Sequence, residues 1–100
     1  MPDTEGAHGA SAMKKEVVAN YAGHTIRVVN TWFSGAKLYL DGDCRDSNTE
    51  LFVLDKNAAL MSAQLEVEGQ KRLVEVFCQA LFTVKIKICV DGELVGGESF

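Results

Sequence analysis

The chain has 100 residues, 47% apolar and 24% charged, with a formal net charge of −4, which is one domain large enough to bury a core without staples. Its 10 Lys and Arg residues are scattered and form no basic stripe interleaved with aromatics, which argues against nucleic acid as a partner. No apolar run approaches the roughly 20 residues of a membrane helix, and residues 2–12 lack the apolar segment of a signal peptide.

Residues 1–12 are rich in Gly, Ala and Ser, carry no apolar pattern and read as a disordered tail. Met13-Lys14-Lys15 reads as a natural start, so the domain is expected over residues 13–100. Glu16–Tyr21 is a first strand candidate, with Ala22-Gly23-His24 as a turn. Thr25–Trp32 follows, its Ile26, Val28 and Val29 favouring β structure. Phe33-Ser34-Gly35 turns the chain into Ala36–Leu40, where Leu38 and Leu40 share one face and Lys37 and Tyr39 the other. Asp41-Gly42 then reverses it, because a type I′ hairpin turn needs a positive φ that Gly accepts.

Asp43–Glu50 is polar and reads as a loop with a short outgoing strand at its start. Leu51–Leu54 is fully apolar and reads as a buried strand, ended by Asp55-Lys56-Asn57. Ala58–Val67 is ambiguous: its composition suits a helix capped by Asn57, yet Ala59, Met61, Ala63, Leu65 and Val67 alternate with Ser62, Gln64 and Glu66. Strand is favoured because both neighbours read as β. Glu68-Gly69-Gln70 is a hairpin turn, Lys71–Phe77 a strand and Cys78–Leu81 a bend. Thr83–Val90 alternates most cleanly, with Val84, Ile86, Ile88 and Val90 inward and Lys85, Lys87 and Cys89 outward. Asp91-Gly92 turns it back.

Lys37–Asp43 and Lys87–Glu93 are therefore near-copies, fifty positions apart; at the same spacing Glu16-Val17 matches Glu66-Val67 and Trp32 matches Phe82. The expected fold is all-β: an antiparallel two-layer sandwich or flattened barrel with an internal two-fold repeat. The alternative is α+β with one helix near 58–68.

Chemistry is sparse. Cys44, Cys78 and Cys89 are an odd set without zinc-ligand spacing and read as reduced thiols of a cytoplasmic protein. The stretch Asp41–Glu50 fails as a calcium loop, because Arg45 stands at a ligand position and Asp46 where Gly is needed. No G-x-S-x-G, P-loop or G-x-G-x-x-G occurs, and His24 has no nucleophile identifiable by spacing. Neither a cofactor nor a metal is expected. Cys89 is a nucleophile only if a neighbouring cation holds it as thiolate; Lys85 and Lys87 share its face, and the structural thiol is the favoured reading.

The stretch Leu73–Phe77, then Thr83–Gly92 and Gly96-Gly97, resembles small uncharacterised bacterial proteins of the kind carried on integron gene cassettes. That resemblance covers the last third of the chain and implies a bacterial, soluble, free-standing protein without assigned activity. The residues themselves favour a non-enzymatic interaction domain that self-associates as a homodimer, with Tyr39 and Cys89 at equivalent outward places. A small-molecule pocket between sheets, lined by Trp32, Phe33 and Phe82, is the second expectation, and an enzyme the third.

Overall fold

A computed structural model describes residues 14–31, 35–48, 58–80 and 84–100. They form eight strands: β1 (Lys14–Tyr21), β2 (His24–Thr31), β3 (Gly35–Leu40), β4 (Asp43–Asn48), β5 (Met61–Val67), β6 (Gln70–Ala80), β7 (Val84–Val90) and β8 (Glu93–Gly97). Two four-stranded antiparallel sheets follow chain order, β1-β2-β3-β4 and β5-β6-β7-β8. The all-β expectation holds.

Ala58–Glu68 is not a helix. Alternation decides it: Met61 and Leu65 are buried and Ala63 and Val67 pack against the core, while Ser62, Gln64 and Glu66 are exposed. A helix would spread those four apolar side chains around its circumference. The polar stretch Asp43–Asn48 is a full strand rather than a loop, and β6 runs straight through the expected bend at Cys78. The expected strand Leu51–Leu54 lies outside the described residues.

The core sits between the sheets. β2 contributes Ile26 and Val28, β3 Ala36, Leu38 and Leu40, β6 Val74 and Val76, and β7 Ile86, Ile88 and Val90, all at most 2% exposed. Period-two alternation on each strand delivers these residues to one side.

The halves repeat in detail. Asp41-Gly42 and Asp91-Gly92 both have positive φ at each turn residue, 50° and 87° in the first, 50° and 85° in the second. Each returning strand carries a bulge at the same place, between Leu38 and Tyr39 opposite β4 and between Ile88 and Cys89 opposite β8. The spacing is not uniform, however. Thr25 and Leu73 make the same bonds to their turn aspartates, yet stand forty-eight positions apart. Through the registers, Val17 then corresponds to Met61 rather than to Val67. Glu66 and Val67 belong to an extension of the second hairpin, two residues longer on each strand.

β1 lies beside β8, and β4 beside β5, so the sheets close toward a flattened barrel. Among the described residues, backbone hydrogen bonds stay within each sheet; side chains close both seams. At β4/β5, the Ser62 N–H donates to Asp46 Oδ2 (3.0 Å), Asn48 Nδ2 donates to the Leu60 carbonyl (3.0 Å) and an Arg45 guanidinium nitrogen to the Gln64 carbonyl (3.4 Å). At β8/β1, Lys15 Nζ meets Glu98 Oε1 at 2.8 Å, and Gly96 lies so close to β1 that a Cβ there would stand 2.6 Å from the Ala19 Cβ.

Candidate functional site

Of the five residues singled out as interface or ligand contacts, Trp32, Phe33 and Phe82 lie outside the described residues. Tyr39 and Cys89 are described and do occupy equivalent places: Tyr39 opposes Cys44 and Cys89 opposes Leu94, each beside its bulge. They are not brought together, because each faces outward from a different sheet.

The two outer faces differ in chemistry. On the first sheet Tyr39 is half-buried, with the Arg27 guanidinium 4.9 Å from its ring centroid, and Arg27 Nε is bound to the Glu16 carboxylate. A cation–π contact and an ion pair therefore occupy the centre of that face. On the second sheet the equivalent place holds Cys89, 6% exposed, between Glu75 on β6 and Leu94 on β8. Leu73 and Leu94 around it are 42% and 45% exposed. The Lys87 ammonium lies 5.2 Å from the Phe77 ring centroid and 4.6 Å from that of Phe100, and donates to the Phe100 carbonyl oxygen at 3.4 Å. On the second face Leu73 and Leu94 thus lie among polar side chains, with Ser62, Gln64 and Glu66 exposed on β5, Lys85 exposed on β7 and a half-buried carboxylate, Glu75, between them.

Cys89 is not poised as a nucleophile. Burial pushes its thiol pKa up, and the Lys87 charge offsets only part of that shift, with Glu75 adding to the rise. Cys78, in the core, is raised by burial as well, while Cys44 is exposed. No cluster of His, Cys, Asp or Glu suited to a metal ion occurs among the described residues. The acidic stretch instead turns Asp46 and Asn48 toward β5.

One polar row lies on the inner face of the first sheet at the end where β2 passes to β3: Lys15, Asn30, Ala36 and Asn48 stand side by side across the four strands. Asn30 is 5% exposed, and its carboxamide oxygen has no hydrogen-bond partner among the described residues. Composition gave no signal for this, since one Asn in a β run reads as an exposed residue; only its in-phase position with Ile26 and Val28 marks it as inward.

His24 sits on the first residue of β2, where its Nδ1 is 2.6 Å from Asp41 Oδ2. Arg72 holds the corresponding place in the second half, 3.2 Å from Asp91 Oδ2. His24 therefore braces the Asp41 turn, as Arg72 braces that of Asp91.

Among the described residues, no helix is long and apolar enough to cross a membrane. Compared with known proteins, the chain matches no family model, no curated protein and no solved structure.

Proposed function

We propose that this chain is a small non-enzymatic interaction module that pairs with a second copy of itself through the outer face of its second sheet. The observation that carries the reading is the inequality of the two outer faces. The first carries the Glu16, Arg27 and Tyr39 cluster beside one exposed apolar side chain, Val18, whereas the second presents two, Leu73 and Leu94, around the buried Cys89. An exposed apolar patch rimmed by charge marks an interaction surface. The same face carries both signs, Glu75 on β6 and Lys85 on β7, so a copy turned about a two-fold axis offers cation to carboxylate. Three unpaired cysteines fit a reducing compartment, which supports a cytoplasmic setting, and the C-terminal resemblance supports a free-standing bacterial protein.

Sedimentation equilibrium across the micromolar range tests this. A dimer is expected for the unaltered chain, Leu73→Asp and Leu94→Asp should be monomeric, and Val18→Asp on the first sheet should remain dimeric. A monomer throughout, or dissociation by Val18→Asp alone, overturns the reading.

A second reading, a small-molecule binder, draws support from Asn30. Its buried oxygen can accept a bond from an N–H or O–H of a small ligand entering at that end of the interior. Ligand-observed NMR with a panel of small amides and alcohols should then give signals that Asn30→Leu abolishes; equal signals from both chains exclude it.

A further inference from the structure

We propose that the two halves are separable partners, and that the chain also assembles by exchange, β1–β4 of one copy receiving β5–β8 of another. This does not rest on the outer-face pairing above. Each half is a complete antiparallel meander whose backbone-to-backbone hydrogen bonds, among the described residues, stay within it. Neither half can leave its inner face open. Ile26, Val28, Leu38 and Leu40 on one side and Val74, Val76, Ile88 and Val90 on the other are at most 2% exposed and belong to one core cluster. Hydrophobic cover is indifferent to which chain supplies it, and the chain passes between the sheets once, between Asn48 and Ala58.

The seams decide what each half accepts. Asp46 opposes Leu38, and its equivalent Gly96 opposes Ile88. Asp46 reaches across to the Ser62 N–H; Gly96 has no side chain and instead admits Ala19 at close range. Arg45 corresponds to Val95 and Asn48 to Glu98, so the groups that bind β5 have no counterpart on β8. The close approach of Gly96 to Ala19 is particular to the β8/β1 seam; at β4/β5 Asp46 faces the strand that carries Ala63, the counterpart of Ala19. Both seams join a first half to a second half, so an exchanged assembly keeps every seam contact of the closed chain.

Within one chain the connection raises the effective concentration of the second half to about the millimolar range, so the closed monomer prevails in dilute solution and exchange requires unfolding and refolding at comparable concentration. The test uses the intact chain. Isotope-labelled and unlabelled protein are mixed in denaturant, refolded together at about 1 mM, and the dimer fraction is examined by isotope-filtered NMR. Interchain contacts are expected between the methyls of Val28 or Leu38 and those of Val74 or Ile88. Mixing the two after folding should reduce them about tenfold or more, since exchange then waits on global unfolding. Refolding only to monomer, or a dimer without interchain core contacts, overturns the proposal. A dimer whose interchain contacts involve Leu73 and Leu94 alone overturns exchange while leaving face pairing intact.

Discussion

Each turn aspartate joins three interactions in one residue. Asp91 sits at a φ of 50°, its backbone N–H donates to the Leu73 carbonyl at 2.8 Å, and its Oδ1 accepts from the Leu73 N–H at 2.9 Å, while Oδ2 meets Arg72. Asp41 repeats this with Thr25 and His24. The Leu73 N–H, and after it Arg72, holds the Asp91 carboxyl below the ordinary carboxylate range; for Asp41 the His24 hydrogen bond contributes most, then the Thr25 N–H. A pKa lowered by folding stabilises the fold above the unfolded-state value, and the contribution is lost as pH falls through the folded-state value. Asp91→Asn removes the charge at every pH, so the fall in urea midpoint from pH 7 to about pH 3 should be smaller in the variant than in the parent. Asn30 works in the opposite direction. Its carboxamide oxygen is buried without a partner among the described residues, which costs about 1–3 kcal/mol. Asn30→Leu is of similar size and should raise stability by about 1 kcal/mol, read as a higher urea midpoint at unchanged slope.

At the level of elements, β4 shows why a polar run can be a strand. Its alternating side chains contribute little to the core; Arg45, Asp46 and Asn48 instead bind the open edge of β5. An edge of unpaired N–H and C=O groups invites pairing with another chain, and these side chains occupy it. Asp46→Ala leaves the Ser62 N–H without its acceptor and should cost about 1 kcal/mol, with faster amide exchange at Ser62 than at Val74. The strands of the central pairs were legible in the sequence because alternation and the Asp-Gly turns agree: β7 and its turn read directly, and the pattern over Met61–Val67 pointed to strand. β4 was hidden because its residues look like loop chemistry when their partners are unknown. The repeat was legible only where it keeps a constant spacing, at β3 and its turn. Glu16-Val17 and Glu66-Val67 match as letters but not as places, since the longer second hairpin shifts the register. Of the outward residues, Tyr39 and Cys89 were legible as equivalents. The burial of Cys89 was not, because it depends on Leu94 across the bulge and on the neighbouring strands.

At the level of the molecule, the two sheets are one cooperative core. Ile88 is fully buried, and Ile88→Ala should cost about 2–5 kcal/mol. Because residues of both sheets share one core cluster, amide protection at Ile26 and Val28 should fall together with that at Val74 and Val76. Protection retained in the first sheet alone would show a half that stands by itself. Gly96 extends the argument beyond this chain. The closing of the barrel is delegated to a few side chains at the seams, so partner choice can be rewritten without touching a single ladder hydrogen bond. Exchanging residue size at Gly96 and Ala19, or reversing polarity between Asp46 and its β5 partner, would yield orthogonal halves: fragments that ignore the parent and recognise only each other. In such an architecture, an ancestral meander that was duplicated would have acquired two distinct identities through changes at the seams alone, while the turns and bulges remained common property.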